Sequence, residues 1–408
     1  MNPSAPDPAG PVWYADPLTT LYWGDARAVL RALPAESVQT CVTSPPYWGL
    51  RDYGIAPQVW GGEPTCAHQF RVSSISVRTG KGGNWQQTNN GPGLATGVHR
   101  SRFRGNCRAA GAAEVVTCET GVCACGAWRG SLGLEPTPDL YVQHVVMVFC
   151  EVRRVLRRDG TCWLNLGDSF TSGNRPTYRS AASNNLGHRV QDNLPRPATP
   201  PGLKPKDLIG LPWRVAFALQ ADGWWLRADI IWAKPAPMPE SVTDRPTRSH
   251  EYVFLLAKSP RYYYDYRAIQ EPPLRRRASG NLARRVTVPT RLNDHRGSSI
   301  PWEGGWRNKR DVWIVPNRPY PGAHFATYPP ALIEPCILAG SRPGDVVLDP
   351  FHGSGTTGEV AHRLGRRYIG IELNPDYLTL SLERLRQPGL VLPEAEGQRL
   401  PHRTGGPR

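Results

Sequence analysis

A glycine-rich loop close to the C-terminus constrains this chain more than any other feature. Residues 346–348 (Val-Val-Leu) read as a short buried strand and residues 358–364 as a helix, and between them Gly353-Ser354-Gly355-Thr356-Thr357-Gly358 satisfies G-x-G-x-x-G. Glu372 ends the next strand, residues 368–372, about 19 residues past the first glycine. Glycines in this pattern permit a tight bend and close approach of backbone to a nucleotide, and the carboxylate is placed for ribose hydroxyls. In a chain of 408 residues only 36 follow Glu372, too few to finish a doubly wound sheet. The remaining strands must come from upstream, so the expected fold is α/β, a circularly permuted Rossmann-like sheet.

Upstream patterns supply such strands. Residues 140–157 carry apolar side chains at helical spacing and stop at Asp159-Gly160, and residues 161–166 follow as a strand. Residues 207–221 read as a helix with Pro212 as a kink, then come strands at 224–232 and 251–256 and a helix at 330–339. A further strand, 39–42, must stop at Pro45 and Pro46, which fix φ and lack amide hydrogens.

The stretch after that strand, TSPPYWGLRDYG at 43–54, offers unusual groups. Ser44 has a hydroxyl, Pro45 and Pro46 have carbonyls, and Tyr47 and Trp48 have flat faces, together a pocket for a nucleobase amine. An isolated proline turn capping a strand is the plain alternative. Asp349, just before the glycines, would repel a pyrophosphate and suits a cofactor with positive charge, such as S-adenosylmethionine. A nicotinamide dehydrogenase is the competitor that this carboxylate disfavours.

Composition bounds the partners. Lys and Arg number 49 against 34 Asp and Glu, a net charge of +15, which points to a polyanion and first to nucleic acid. The absence of an apolar run of membrane-span length and of an apolar leader predicts a cytoplasmic chain with no membrane partner. Nine cysteines in such a chain suggest reduced thiols or metal ligands. Cys66-Ala67-His68 and Cys123-Ala124-Cys125 flank a polar insertion and predict a structural zinc site, with Cys118 as an alternative ligand. By composition, residues 1–17 and 388–408 read as disordered tails, 71–112 as a mobile inserted loop within an insertion spanning 55–135, and 267–320 as an arginine-rich variable region. The catalytic half would comprise 18–54 and 136–266, and the cofactor half 321–387.

With these motifs in this order, the chain from about Leu21 to about Arg386 resembles the amino-group DNA methyltransferases of the permuted (beta) order, in which S-P-P-Y precedes the cofactor motif. The resemblance implies an S-adenosylmethionine-dependent methyltransferase sheet with inserted DNA-recognition regions. It assigns Ser44, Pro45, Pro46 and Tyr47 to catalysis. Asp25, after Gly24, would lie near the adenine of the cofactor. Phe325 and Thr327, within residues 324–329, would hold its methionine end, which Asp349 would face; Phe351, Gly353, Ser354, Gly355, Thr356 and Thr357 would line the cofactor, and Glu372 would take its ribose. Residues 165–168 and 232–235 have counterparts that line the target pocket, and the cysteine pairs have counterparts in similar proteins.

The implied reaction is direct transfer to an exocyclic amine of a base flipped out of double-stranded DNA. An uncharged Ser44 at the head of the motif favours cytosine N4 over adenine N6, because an acidic or Asn first residue usually accompanies adenine in the family. A ring-carbon cytosine enzyme would need a cysteine after a proline; Pro335-Cys336 matches superficially and reads instead as helix core. Arg275, Arg276, Arg277, Arg284, Arg285, Arg307, Lys309 and Arg310 are candidates for reading DNA, and Arg102, Arg104 and Arg108 for a second groove. A separate restriction endonuclease and a homodimer are left open as partners.

Overall fold

The computed structural model describes residues 11–50, 55–70, 72–79, 85–88, 114–119, 121–171, 199, 202–272, 306–317 and 327–386, with side chains outside 72–119. In chain order the elements are β1 (Val12–Ala15), β2 (Thr19–Trp23), α1 (Ala26–Ala32), β3 (Val38–Thr43), β4 (Gln58–Trp60), β5 (Val72–Thr79), β6 (Trp85–Thr88), β7 (Glu114–Glu119), β8 (Gly121–Val122), β9 (Trp128–Gly130), α2 (Pro138–Val155), β10 (Leu156–Leu166), α3 (Leu211–Ala221), β11 (Trp225–Ala233), β12 (His250–Ala257), β13 (Val312–Ile314), α4 (Pro330–Gly340), β14 (Val346–Asp349), α5 (Thr356–Arg363), β15 (Arg367–Glu372) and α6 (Pro375–Arg386).

Nine strands form one sheet in the order β1-β2-β15-β14-β3-β10-β12-β11-β13. The C-terminal strands β14 and β15 sit between the N-terminal β2 and β3, so the expected permutation is present. From β2 to β10 every pairing is parallel; β12 runs antiparallel to both neighbours, and β1 antiparallel to β2. Neighbouring strand residues feed opposite faces. Cys162 and Leu164 join the buried cluster under α1, α2 and α3, whereas Trp163 joins the one under α4, α5 and α6. Both faces are covered, as a parallel sheet requires. Cys336 is fully buried in α4, which makes it core and leaves it no access to a substrate.

Several expectations need correction. Residues 12–15, read as part of a disordered tail, form an edge strand, because Asp16 Oδ1 accepts from the amides of Leu18 (2.8 Å) and Thr19 (2.7 Å) and turns the chain back onto β2. The mobile loop expected at 71–112 contains β5 and β6, which pair with each other and with β7 in a separate three-stranded sheet. Ile75, Val77 and Thr79 recur at the strand period there, but intervening serines dilute the signal. Pro212 sits in the first turn of α3 and causes no kink, since a first-turn proline lacks only an amide that has no helical partner. The C-terminal segment 388–408 lies outside the described residues.

Candidate functional site

β3 and β14 are adjacent and parallel, with Thr40 opposite Val347 and Cys41 opposite Leu348. Their C-terminal ends therefore deliver the S-P-P-Y turn and the glycine loop to the same edge, where open α/β sheets bind ligands. A direct bond joins the motifs: Thr43 Oγ1 donates to Asp349 Oδ1 at 2.6 Å. Asp349 is 1% exposed and also accepts from Thr357 Oγ1 (2.7 Å), Tyr328 Oη (3.1 Å) and the Phe351 amide (3.0 Å). Burial pushes its carboxyl up despite these donors. The carboxylate expected to face a cationic cofactor group is instead engaged inward, as the knot that fixes the loop.

Within the loop, Gly353 (φ +53°) and Gly355 (φ +79°) occupy left-handed backbone. A Cβ on Gly353 would meet only the Phe351 carbonyl oxygen, at 3.8 Å, whereas one on Gly355 would lie 2.9 Å from Ser381 Cβ. Ser354, Thr356 and Thr357 are buried; Arg384 of α6 donates to Thr356 Oγ1 (2.9 Å) and Ser354 Oγ (3.4 Å), while Thr357 Oγ1 bonds Asp349 and the Val42 carbonyl (3.3 Å). His352 escaped the sequence reading. It lies buried between Tyr368 Oη (2.7 Å) and Ser381 Oγ (2.6 Å), and burial lowers its pKa to about 3, which keeps it neutral.

Glu372 ends β15 beside the loop. Its Oε2 accepts from the Gly353 amide (2.8 Å), and its Oε1 from Leu373 (2.9 Å) and Asn374 (2.8 Å). Burial raises the carboxyl to about 7, against the lowering effect of those amides. Asp25 follows β2 on the neighbouring strand end, where the Gly24 amide donates to the Glu372 carbonyl at 3.0 Å. Asp25 caps α1 through the Arg27 and Ala28 amides and pairs with the Arg27 guanidinium at 2.9 Å. Thr327 is half-buried just before α4, while Phe325 lies outside the described residues.

On the other side of the edge, Ser44 Oγ donates to Tyr47 Oη at 3.3 Å, and Tyr47 Oη donates to Glu251 Oε2 at 2.8 Å, with Asn165 Oδ1 at 3.0 Å. Burial and the Glu251 charge hold the Tyr47 phenol well above its usual range, so it stays a donor. Glu251 Oε1 pairs with Lys234 Nζ. The Pro46 carbonyl accepts from Tyr141 Oη at 2.9 Å. Asn165 and Lys234 fall in segments expected to line the target pocket; Glu251 was missed, although an acid heading the otherwise apolar strand HEYVFLLA is a visible anomaly.

The ligand atoms of Cys66, His68, Cys123 and Cys125 lie within 4.8 Å of one another. Cys118 lies on β7, whose side chains are outside the described residues. The cluster's small sheet, β4-β9-β8, reaches the S-P-P-Y turn through a buried pair. Glu135 Oε1 contacts His144 Nδ1 at 2.9 Å, and the His144 ring stacks on both Trp60 (4.9 Å) and Trp128 (5.3 Å). The Glu135 carbonyl accepts from Trp48 Nε1 (2.8 Å), and the Gly133 carbonyl from the Gly49 amide (2.8 Å), bracing the turn from outside. Of the candidate DNA-reading residues, Arg307, Lys309 and Arg310 converge on Glu271 at 3.2, 3.8 and 3.2 Å. Arg102, Arg104, Arg108, Arg275, Arg276, Arg277, Arg284 and Arg285 lie outside the described residues.

Comparison with known proteins identifies the family. A family model described as DNA methylase, N6_N4_Mtase, matches residues 38–383. The type II methyltransferase M.XycI of Xanthomonas campestris pv. cyanopsidis is 43% identical over 368 residues, covering 90% of this chain and 88% of its own. M.Cfr9I of Citrobacter freundii is 42% identical (90% and 87% covered), and M.SmaI of Serratia marcescens 41% (89% of each). Among solved structures, the PvuII cytosine-N4-specific DNA methyltransferase aligns over 91% of this chain and 87% of its own at 18% identity and a TM-score of 0.48. The chain belongs to the N6/N4 DNA methylase family.

Proposed function

We propose that the protein transfers the methyl group of S-adenosylmethionine to the exocyclic N4 amine of cytosine at a specific site in double-stranded DNA. The observation that carries this reading is the Thr43–Asp349 bond of 2.6 Å, which sets an uncharged Ser44 beside the glycine loop. Bound S-adenosylmethionine supplies a methyl carbon made electrophilic by its sulfonium. Above Gly353 a Cβ would meet one atom only, at 3.8 Å, which would leave room for such a cofactor; Glu372 would hold the ribose, Asp25 would lie toward the adenine, and Phe351 and Thr327 along the methionine end. Asp349 acts from behind, fixing the loop.

An aromatic amine is a weak nucleophile because its lone pair is delocalised into the ring. Ser44 Oγ and the Pro45 carbonyl would accept its hydrogens and favour the pyramidal geometry of the transition state. Reaching that position requires the base to leave the duplex, and the net charge of +15 supports binding to the phosphates. Resemblance to type II methyltransferases supports a separate endonuclease as the functional counterpart.

The cysteine and histidine cluster would hold a closed structural zinc. Tetrahedral Zn–S and Zn–N bonds place ligand atoms roughly 3.3–3.8 Å apart. Cys66 Sγ–Cys123 Sγ at 3.9 Å and Cys125 Sγ–His68 Nδ1 at 3.3 Å come close to that.

Adenine N6 is the second reading, since the matched family model spans both amine classes. DNA from cells expressing the protein, digested to nucleosides and examined by mass spectrometry, is expected to contain N4-methylcytosine. N6-methyladenine alone would establish the second reading, and no modified base would overturn both.

A further inference from the structure

Ser44 can accept an amine hydrogen only if its own hydroxyl hydrogen points elsewhere, and the neighbouring side chains decide where it points. A hydroxyl carries one hydrogen and two lone pairs, whereas a carboxylate only accepts. Glu251 is therefore the fixed end of the series. Tyr47 Oη gives its hydrogen toward Glu251 Oε2 (2.8 Å) and Asn165 Oδ1 (3.0 Å), which leaves its lone pairs for the Ser44 hydrogen at 3.3 Å. Asn165 is oriented by the same carboxylate: its Nδ2 donates to Glu251 Oε2 (3.2 Å) and the Tyr252 carbonyl (3.1 Å), turning Oδ1 toward Tyr47. Lys234 occupies the other carboxylate oxygen. Gly167 completes the geometry, since a Cβ there would lie 2.6 Å from Tyr47 Cε2 and displace the ring.

We infer that Glu251 is a positioning residue that, with Lys234 and Asn165, sets the direction of the Glu251–Tyr47–Ser44 relay, so that Ser44 presents only acceptor capacity to the incoming base edge. The inference rests on the proposed amine transfer and adds its selectivity. An amine brings hydrogens to waiting lone pairs, while the carbonyl of uracil or thymine brings lone pairs against lone pairs. The relay thus reads cytosine against its deaminated and methylated-uracil counterparts with no residue reserved for that task.

The experiment is a double-mutant cycle of Glu251→Gln and Tyr47→Phe, read as single-turnover methyl transfer to duplex DNA, with cofactor affinity and melting temperature measured on each protein. The ammonium of Lys234 only donates, so the amide of the Glu251→Gln variant turns its oxygen to Lys234 and its NH2 to Tyr47, which reverses the relay. The expected loss is roughly 100-fold in rate with cofactor affinity unchanged within about twofold. In the Tyr47→Phe background the same substitution should change the rate by less than about threefold, because no hydroxyl remains to be oriented. Equal losses in both backgrounds mean that Glu251 acts through packing, which overturns the inference.

The wild-type protein gives a check that no folding defect can blur. A duplex carrying uracil at the target position should bind about tenfold more weakly than one carrying 2-pyrimidinone, which has no exocyclic group to clash. Equal or tighter binding of uracil would show Ser44 donating and sink the relay. A wild-type protein that methylates no cytosine at all would instead refute the functional reading on which this rests.

Discussion

The two sides of the sheet edge are built differently. On the proposed cofactor side the polar groups turn inward: Asp349, His352, Thr356 and Thr357 bond to one another's elements, and Glu372 takes three backbone amides. Most of these partners come from a single stretch, β14 to α6. On the proposed target side Ser44, Tyr47, Asn165, Lys234 and Glu251 arrive on or just after four strands, β3, β10, β11 and β12, and bond in series. A knot loses its shape when one strand is cut, whereas a series loses its direction and keeps its shape. Damage to the first side should therefore appear as lost folding and cofactor binding, and damage to the second as lost rate.

The sharpest way to break this contrast is Asp349→Ala. It removes the acceptor of the Thr43 hydroxyl and the Phe351 amide, at about 1–3 kcal/mol for each group left unsatisfied, and leaves Thr357 and Tyr328 only the Val42 carbonyl and each other. Denaturant unfolding should show a loss of several such units, and calorimetry should show no cofactor binding. Ser44→Ala tests the other side. Transfer should fall roughly 100-fold while cofactor affinity stays within about twofold of wild type. A Ser44→Ala protein that lost cofactor affinity in parallel would erase the distinction between the two sides. Gly355→Ala comes next: its left-handed φ of +79° and the 2.9 Å approach to Ser381 predict about 1–3 kcal/mol of destabilisation by thermal melting, with weakened cofactor binding by calorimetry as the loop shifts.

The sequence was most legible where local chemistry decides the outcome. A strand, glycines and an acid at fixed spacing predicted β14, the turn into α5 and the end of β15, and the expected permutation appears in the order β2-β15-β14-β3. The clustering of Cys66, His68, Cys123 and Cys125 was readable for the same reason, since they come as two pairs close in sequence. Glu251 was not, because its partners Tyr47, Asn165 and Lys234 come from other strands and only the tertiary fold brings them to it. The inward engagement of Asp349 was hidden likewise, since Thr43 lies 306 positions away along the chain. Strands β5 and β6 were hidden by composition, their serines and glutamines reading as loop.

The finest probe of the cofactor side is pH. Glu372 titrates near 7 in the folded protein against 4.5 ordinarily, because burial penalises its charge more than the three amides relieve it. Ribose hydroxyls donate to the charged form, so cofactor affinity should fall as the pH drops through about 7. Between pH 8 and 6 the loss should reach up to about tenfold by calorimetric titration, and Glu372→Gln should bind weakly with no such slope. Stability follows a different course. A carboxyl with a raised folded pKa takes up its proton in the folded state first, so it adds stability as pH falls from about 7 to 4.5. His352, held near 3 against 6.5 ordinarily, does the reverse: the unfolded chain takes the proton first, and stability is lost as pH falls from 6.5 toward 3. The two contributions oppose each other between pH 6.5 and 4.5, so His352→Asn should expose the Glu372 contribution as a melting temperature that rises on acidification across that window. A parallel loss of melting temperature and cofactor affinity in that variant would place the proton on another group.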